Sequence, residues 1–319
     1  MEEKRILITG GLGNLGSWLT QHFISAGYKV TVLARKMRDV KIKGYYEIIF
    51  ADISDYDALY DQLKGRYFDY VIHAASVNEG NADHYFRSAI LVNVLGTRNL
   101  LEILKMSPPK NFIYLSTFHV YGRSAGYIDE DSLPNCRHDY ATSHLQAEQS
   151  VIQFNQVHNM DFTILRLTNS YGCPKDLDSS KWYLILNDLA RMAYENGEIV
   201  LKSNGNATRD FIWMGHVVEA VEQICQLERV PNGIFNLSSQ RNYKMSEVAE
   251  YVQKAYQDYF GTSIPVALNE EDMNTYDQSL HVSSKKLRSL ISIYSSPMFY
   301  QEATAIFKLL ETVKKKELT

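Results

Sequence analysis

The chain has 319 residues, of which 45% are hydrophobic and 22% are charged, with 17 glycines and 7 prolines. This composition is typical of a folded enzyme and excludes collagen-like, low-complexity and intrinsically disordered proteins. The formal net charge of −4 argues against broad electrostatic binding to nucleic acid or to an anionic membrane. The length predicts one core domain with a smaller appended lobe.

The first two thirds of the chain alternate short β-branched runs with longer amphipathic stretches, which predicts βαβ units around a parallel sheet. Strands are predicted at 5–9, 29–33, 47–50, 70–73, 111–116 and 162–165, and helices at 14–26, 55–63, 85–106 and 138–158. After residue 166 the rhythm changes. There the pattern predicts strands at 199–201, 211–213 and 233–237, and helices at 182–195, 216–227, 245–260 and 301–316.

A glycine-rich turn, Gly-Gly-Leu-Gly-Asn-Leu-Gly, connects the first predicted strand to the first predicted helix. Gly10 permits a tight turn, Gly13 lets a pyrophosphate approach the backbone, and Gly16 lets helix and strand pack closely. Asn14 and Leu15 open the helix, whose N-terminus attracts negative charge. This placement predicts a dinucleotide site that includes all five residues, and a glycine turn without a ligand is the alternative.

The end of the second predicted strand bears on the choice of cofactor. Ala34 stands where a carboxylate would hold the 2′-hydroxyl of an adenine ribose, and Arg35 and Lys36 follow directly. A guanidinium there can pair bidentately with a 2′-phosphate, so NADP is favoured and NAD remains an alternative. Asp52 and Ile53, after the third strand, are placed to meet the adenine, although Asp52 could instead cap the next helix.

Further motifs follow along the chain in a recognisable order. They are VIHAA at 71–75, NVLGT at 93–97, LSTFHVYG at 115–122, YATSH at 140–144, RLTNSYG at 166–172 and RDFI at 209–212. With the glycine-rich turn, they resemble the extended short-chain dehydrogenase/reductases, which are nucleotide-sugar epimerases, dehydratases and reductases. The resemblance implies an α/β fold with a Rossmann-type doubly wound parallel sheet over 1–168, a returning segment near 209–237, and a C-terminal α+β nucleotide-sugar lobe over 169–319.

The resemblance also implies a role for particular residues. Tyr140 matches the general acid/base that exchanges a proton with a sugar hydroxyl or ketone, and Thr117 matches the residue that hydrogen-bonds the same oxygen. Asn169 and Arg209 match positions that contact the nucleotide sugar, with Arg209 on its phosphates. The chain has 22 tyrosines, so an interface role for Tyr140 is the alternative.

Other matched positions belong to the cofactor side of the site. Ala74 and Ala75 are assigned to cofactor binding, and Asn93 resembles a helix asparagine that helps to hold the local backbone there. His73 is interpreted as a structural residue beneath the nicotinamide.

The chain departs from the family at one position, because the Tyr-x-x-x-Lys pair reads Tyr140-x-x-x-His144. In the family the lysine holds the nicotinamide ribose and lowers the tyrosine pKa. A tyrosine must drop by about 3 pKa units to ionise at neutral pH, roughly 4 kcal/mol, which one unit charge at about 4 Å supplies at an effective dielectric of about 20. Two alternatives stay open: His144 substitutes as a cation, or it is neutral and only binds the ribose. We expect retuned or impaired catalysis.

His119 follows Thr117 by two positions, which predicts that both lie on one side of an extended segment and face the substrate. In the family's 4,6-dehydratases an Asp-Glu pair stands where this chain has Phe118 and His119, so a dehydratase is disfavoured. An auxiliary acid or a hydrogen-bond donor to the sugar, and a packed loop histidine, are equally open for His119.

The remaining sequence features concern metals and location. Cys136, Cys173 and Cys225 are odd in number and lack CxxC spacing, so a reducing compartment is favoured over a disulfide framework or a zinc site. The acidic run at 129–131 is interpreted as a solvated stretch, and no metal is predicted. The first strand starts within four residues of Met1 and no run of about 18 apolar residues occurs, so we expect a cytoplasmic protein without a membrane span.

Three functions fit these observations. The first is reduction of a 4-keto sugar nucleotide with NADPH, in which Tyr140 gives the proton and Thr117 positions the carbonyl. The second is a nucleotide-sugar 4-epimerase or dehydrogenase with tightly held NAD, and the third is a catalytically weakened dinucleotide-binding sensor or scaffold. By analogy with the family, the helices at 85–106 and 138–158 predict a homodimer through a four-helix bundle.

Overall fold

The computed structural model describes residues 3–77, 85–176, 181–229 and 231–317. Its strands are β1 (Arg5–Thr9), β2 (Lys29–Ala34), β3 (Glu47–Phe50), β4 (Tyr70–His73), β5 (Asn111–Thr117), β6 (Tyr127–Ile128), β7 (Phe162–Leu167), β8 (Asn169–Tyr171), β9 (Ile199–Val200), β10 (Thr208–Trp213), β11 (Gly233–Leu237), β12 (Asn242–Lys244), β13 (Val266–Ala267) and β14 (His281–Val282). Its α-helices are α1 (Asn14–Ser25), α2 (Tyr56–Leu63), α3 (Tyr85–Ala89), α4 (Gly96–Leu104), α5 (Asp139–His158), α6 (Ile185–Asn196), α7 (Met214–Gln226), α8 (Met245–Phe260), α9 (Lys285–Arg288) and α10 (Phe299–Glu317).

A seven-stranded parallel sheet forms the centre of the molecule, with the strand order β11-β7-β5-β4-β1-β2-β3. Successive side chains of a strand point to opposite faces, so Ile8 of β1 packs with Phe23 of α1 while Leu7 packs with Leu100 of α4 on the other face. Both faces are covered by helices, as a parallel sheet requires. The predicted α/β fold with a Rossmann-like parallel sheet is confirmed.

A second core lies in the C-terminal part of the chain. The three-stranded sheet β12-β10-β8 packs with α6, α8 and α10 around the buried ring of Phe299, which stacks on Tyr171 at a centroid distance of 4.2 Å. Glu302 of α10 accepts hydrogen bonds from the Cys173 backbone N–H (2.6 Å) and from Trp213 Nε1 (2.9 Å). The last helix therefore fixes the ends of β8 and β10, the two strands that carry Asn169 and Arg209.

Between these parts the chain returns to the large sheet. Strand β11 hydrogen-bonds to β7 at its edge, and α7, which precedes it, packs against α1. His22 Nε2 of α1 lies within hydrogen-bond distance of Glu222 Oε2 of α7, 2.6 Å across this contact. Residues from both halves of the chain thus build one continuous sheet.

The predicted helix over 85–106 is wrong in its middle and at its end. Residues Ile90–Leu95 form a π-helical segment between α3 and α4, and α4 ends at Leu104. The Asn93 side chain accepts from the Val77 N–H (2.8 Å) and donates to Ser143 Oγ (3.0 Å). These tertiary bonds accompany the wider π turn, a feature that often occurs at functional sites.

The other differences between prediction and structure lie at element ends and in short elements that were not predicted, which are the short strands, helix α9 and a 3₁₀ turn at Phe118–Tyr121. Helix α6 begins at Ile185 and not at 182 because Leu184 is extended, and β10 begins at Thr208 and not at 211 because it pairs with the unpredicted β12. Strands β1, β3, β4 and β11 and helix α8 match their predictions at both ends.

Candidate active site

The glycine-rich turn between β1 and α1 is packed so closely that its glycines leave no room for side chains. Gly10 has φ +67°, and a Cβ there would lie 2.8 Å from Ala75 Cα. A Cβ on Gly16 would lie 2.0 Å from the Gly10 carbonyl oxygen, because the first turn of α1 packs directly on the loop. Because these positions carry no side chain, the backbone at the N-terminus of α1 is left uncovered, and a pyrophosphate would bind there.

Two further groups at this turn fit a bound dinucleotide. Asn14 Oδ1 is buried and has no hydrogen-bond partner among the described residues, so a polar group of a ligand would satisfy it. Ala75, assigned to the cofactor site, donates its backbone N–H to Thr9 Oγ1 (3.1 Å), which fixes the end of β4 beside the turn. Leu15 is half-buried on α1 and packs against the core beneath. The residues present therefore fit a dinucleotide.

At the other end of this site, Ala34 is buried at the end of β2 while Arg35 and Lys36 are exposed. Burial raises the pKa of the Asp52 carboxyl, but hydrogen bonds from Ser54 and the nearby charge of Arg35 outweigh it and hold the pKa below its usual value. The guanidinium of Arg35 therefore acts on the carboxylate that was predicted to meet the adenine.

The structure decides the alternative that was left open for Asp52, and it shows the surroundings of Ile53. Asp55, and not Asp52, caps α2, with its Oδ1 accepting from the Ala58 N–H (3.1 Å). Ile53 is 6% exposed and packs so closely on Gly96 that a Cβ there would lie 2.6 Å from Ile53 Cγ2. Its side chain is thus a packing residue beneath the predicted adenine site.

His73 is a structural residue, buried at the end of β4. Its Nδ1 lies 2.6 Å from Thr9 Oγ1, and its Nε2 lies 2.8 Å from Thr97 Oγ1. The Thr97 hydroxyl already donates to the Asn93 carbonyl (2.5 Å), so it accepts from His73 Nε2–H, and Thr9 donates to the bare Nδ1. Burial lowers the pKa of His73 to about 3, so the imidazole is neutral.

Tyr140 and His144 lie on the same face of α5, one turn apart. Their ring centroids are 4.5 Å apart in an edge-to-face arrangement. His144 is 2% exposed, and its Nδ1 lies 2.8 Å from the Tyr114 hydroxyl while its Nε2 lies 3.0 Å from Ser76 Oγ. Burial lowers the pKa of His144 to about 3. Of the two alternatives, burial therefore favours a neutral imidazole at physiological pH over a cationic one.

Thr117 and His119 are brought together in a way that the sequence did not predict. Residues Phe118–Tyr121 form a 3₁₀ turn in which Thr117 Oγ1 accepts from the His119 N–H (3.2 Å), so the expected extended segment is wrong. The His119 ring still lies 6.3 Å from the Tyr140 ring. Burial lowers the pKa of His119 to about 4, and the charge of Arg209 lowers it further. His119 is thus neutral and half-buried beside Tyr140.

Sequence reasoning missed His138, which precedes α5. Its Nδ1 accepts from the Ala141 N–H (3.3 Å) as the helix cap, and its ring lies 5.4 Å from His119 and 6.1 Å from Tyr140. A histidine directly before a helix that carries a candidate Tyr is the signal that could have indicated it. The site is therefore a cluster of one phenol and three imidazoles.

The substrate side of the cluster is formed by β8 and β10. Asn169 Nδ2 donates to the Asp210 carbonyl (2.9 Å), and Arg209 is exposed on the same strand as Asp210. The influence of Arg209 on the pKa of His119 places its charge near the ring cluster. Arg209 thus lies near the ring cluster, and Asn169 lies on β8, the strand that pairs with β10.

A buried ion pair lies beneath the ring cluster, and sequence reasoning missed it as well. Glu148 and Arg166 are 0% and 2% exposed, with Arg166 Nη2 donating to Glu148 Oε2 at 2.6 Å, and Ser116 Oγ donates to Glu148 Oε1. Glu148 is four residues after His144 and so faces the sheet as His144 does, which is the signal that could have indicated it. The pair fixes α5, and with it Tyr140, against β5 and β7.

The comparisons with known proteins agree with this geometry. The sequence model of the NAD dependent epimerase/dehydratase family matches residues 6–238. The chain belongs to this family. A Methanocaldococcus jannaschii protein named "Putative UDP-glucose 4-epimerase" is 26% identical over 253 residues, which cover 78% of this chain and 81% of that protein. A UDP-N-acetyl-alpha-D-glucosaminuronate decarboxylase of Bacillus cytotoxicus is 27% identical over 266 residues, covering 79% and 80%.

Among solved structures, the UDP-glucuronic acid 4-epimerase of Bacillus cereus, in complex with UDP-glucuronic acid and NAD, superposes with a TM-score of 0.78. The superposition covers 97% of this chain and 99% of that one at 19% sequence identity, which establishes the shared fold. The family assignment makes this chain a member of a group of NAD-dependent nucleotide-sugar enzymes. Its relatives carry names of different reactions, so the reaction must be argued from the residues of this site.

The described part of the chain also bears on metals and membranes. Within it, no three His, Cys, Asp or Glu side chains converge as a metal site would require. Nor does any helix there have the length and apolar character needed to cross a bilayer. Cys136, Cys173 and Cys225 are all free thiols.

Proposed function

We propose that this protein is a reductase that uses NADPH to reduce a 4-keto sugar nucleotide. The observation that carries the proposal is the uncharged imidazole of His144 beside Tyr140. In the family the corresponding lysine puts a positive charge beside the tyrosine and favours the phenolate. The described part of the chain has a neutral ring in that place.

The absence of that charge favours one direction of proton transfer. An ordinary phenol ionises near pH 10, and a neutral imidazole at position 144 adds no charge that would stabilise its anion. We propose that Tyr140 reacts in its protonated form. A protonated phenol can give its hydrogen to a carbonyl oxygen that is being reduced, whereas oxidation of a sugar alcohol needs a phenolate to accept one. When bound, the reduced dinucleotide supplies the hydride. The site is therefore better suited to reduction than to oxidation.

In the proposed reduction, the Tyr140 O–H bond breaks and its proton passes to the substrate oxygen, and solvent then returns a proton to Tyr140. Thr117, 4% exposed at the end of β5, orients the same oxygen through its hydroxyl. His119 is neutral and can donate one further hydrogen bond to the sugar.

The choice of NADPH rests on the end of β2. Ala34 cannot hold a ribose 2′-hydroxyl, while the exposed Arg35 and Lys36 can pair with a 2′-phosphate. Arg209 and Asn169 would hold the nucleotide diphosphate and the sugar, as the family resemblance implies. We also propose a homodimer, formed through α4 and α5 as in the family, that acts in the cytoplasm.

A nucleotide-sugar 4-epimerase is the second candidate, favoured by the similarity to the Methanocaldococcus jannaschii relative. An epimerase oxidises and re-reduces one carbon, so it would keep its dinucleotide through the cycle and consume none. It would also need Tyr140 to work in both directions.

The deciding experiment follows the near-ultraviolet absorbance of NADPH on mixing the protein with UDP- and dTDP-linked 4-keto sugars. A reductase consumes one NADPH for each sugar reduced, and Tyr140→Phe abolishes the reaction. Conversion of a UDP-hexose into its 4-epimer without net loss of NADPH would establish the epimerase instead. If neither reaction occurs while the cofactor and the nucleotide sugar both raise the melting temperature, the protein is a binding protein that has lost catalysis.

A further inference from the structure

Two hydroxyl groups hold the imidazole of His144 from opposite sides. The Tyr114 hydroxyl, on β5, lies 2.8 Å from Nδ1, and Ser76 Oγ, after β4, lies 3.0 Å from Nε2. Tyr114 is 2% exposed, and His144 is the partner recorded for its hydroxyl among the described residues. Ser76 also lies 3.3 Å from the Val77 carbonyl oxygen.

These contacts define the direction of every hydrogen bond in the group. A buried phenol O–H must find an acceptor, so Tyr114 donates to Nδ1 of His144. A neutral imidazole then carries its proton on Nε2 and donates it to Ser76 Oγ. Ser76 in turn donates to the Val77 carbonyl. The reverse direction would leave the Tyr114 hydrogen without an acceptor.

We propose that Tyr114 is a positioning residue that fixes the Nε2–H tautomer of His144 and keeps its imidazole uncharged beside Tyr140. A protonated His144 would carry a hydrogen on Nδ1, facing the hydrogen of the Tyr114 hydroxyl. Tyr114 would then have to turn its hydrogen into the packed core between β5 and α5. The inference rests on the proposed function only for its consequence, because an uncharged His144 is what leaves Tyr140 protonated.

Other titratable groups also face this pair. His73 on β4 and His119 after β5 are both neutral and so add no negative charge that would favour a cationic His144, and Tyr140 faces it on α5. Glu148, one turn further along α5, raises the pKa of the Tyr114 phenol in addition to its burial, so Tyr114 stays a donor. Removal of the Tyr114 hydroxyl takes away the donor that opposes a hydrogen on Nδ1.

Nuclear magnetic resonance on the full-length protein, labelled with ¹⁵N in its histidines, tests this directly. His144→Gln identifies the signals of His144, and spectra are recorded with and without NADP⁺ from about pH 8 to about pH 5, where an ordinary histidine titrates. In the wild type we expect the Nε2–H tautomer and no titration. In Tyr114→Phe burial still disfavours a charge on His144, but Nδ1 has lost its hydrogen-bond donor, so we expect the Nδ1–H tautomer to become populated beside the Nε2–H form.

Tyr121→Phe is the matched control, since it removes another buried hydroxyl, which donates to Asn236 Oδ1 (2.8 Å). It should leave the His144 signals unchanged. An Nδ1–H tautomer or an ordinary titration in the wild type overturns the proposal, as does an unchanged tautomer ratio in Tyr114→Phe. If Tyr114→Phe does not fold, the wild-type tautomer alone decides. The NMR experiment contains no substrate, so its result does not depend on whether the reductase assay succeeds or fails.

Discussion

At the scale of single residues, the neutral ring of His144 beside Tyr140 leads to a direct test by substitution. His144→Lys would place an ammonium beside the phenol and lower the pKa of Tyr140. We expect the rate of sugar-alcohol oxidation at neutral pH to rise by about tenfold or more, since each pKa unit corresponds to about tenfold in phenolate at that pH. The pH profile of oxidation should shift to lower pH, which steady-state kinetics from about pH 6 to about 10 would measure.

His144→Gln is the matched control for that change, because glutamine keeps hydrogen-bonding capacity without a charge. It should alter the rate of oxidation far less than His144→Lys does. Equal oxidation rates and pH profiles in the two variants would contradict the idea that the missing charge governs the direction of proton transfer.

The exposed guanidinium of Arg35 carries the second prediction. Arg35→Asp should weaken NADP⁺ binding by roughly 10- to 100-fold, because a charge-assisted hydrogen bond is worth about 1.5–3 kcal/mol, and it should weaken NAD⁺ binding little or not at all. Titration of both cofactors by calorimetry measures this. Arg229→Asp, also exposed but near the opposite edge of the sheet, should change neither affinity. Equal losses for the two cofactors in Arg35→Asp would mean that Arg35 contacts no 2′-phosphate.

At the scale of elements, the turn between β1 and α1 depends on Gly16. A methyl group there would lie 2.0 Å from the Gly10 carbonyl oxygen, so Gly16→Ala must push α1 away from the loop. We expect cofactor binding to fall below detection and the free energy of unfolding to drop by more than about 1 kcal/mol. Calorimetry and urea denaturation would measure the two effects.

Gly197→Ala provides a comparison at the end of α6. Gly197 has φ +67°, but its added Cβ would meet no described atom within 4 Å. The substitution should therefore cost about 1 kcal/mol of stability through its backbone conformation alone and leave cofactor affinity intact. If Gly16→Ala behaved in the same way, the close approach of α1 to the loop would not matter for binding.

Elements were predictable from the sequence where their cause is local. The turn at Gly10 and the short β-branched runs of the buried strands are both encoded within a few neighbouring residues, so β1 and β4 were predicted to the residue. The π-helical segment was not predictable because it is tied to Val77 and Ser143, which lie far along the chain from Asn93. The partners of His144 were not predictable for the same reason, since Tyr114 and Ser76 lie 30 and 68 residues away in sequence.

At the scale of the whole molecule, buried neutral histidines make folding sensitive to acid. Burial lowers the pKa of both His73 and His144 to about 3 in the folded protein, while an unfolded histidine has a pKa near 6.5. Below about pH 6.5 the unfolded chain therefore binds protons that the folded one does not. The stabilisation is complete above that pH and is lost progressively as the pH falls towards about 3.

Over that window, each of these two histidines should lower the free energy of unfolding by up to roughly 1.4 kcal/mol for every unit by which the pH falls. Urea denaturation at a series of pH values would measure the slope. His144→Gln should lower the slope of the free energy of unfolding against pH by the equivalent of about one proton. His158→Gln, at an exposed position at the end of α5, should leave that slope unchanged. The same slope in wild type and His144→Gln would show that His144 is not neutral in the folded protein.

The large sheet was predictable as a class because buried parallel strands share one composition, but the smaller sheets were not. Strands β6, β13 and β14 have two residues each, too few to show a period of two, and each exists because its partner lies elsewhere in the chain. The family pattern predicted the residues of the candidate site. The charge state of His144 could be inferred only from its burial and its contacts in the structure.

The late arrival of β11 at the edge of β7 has a consequence for synthesis on the ribosome. Thr163 pairs with Gly233, so β7 leaves the ribosome roughly 70 residues before its partner, an interval of several seconds at about 5–20 residues per second. Until then the nascent chain presents an open strand edge that other chains or a chaperone can bind. A translational pause after β7 has left the ribosome and before β11 has done so would lengthen that exposure, whereas a pause after β11 has emerged would not.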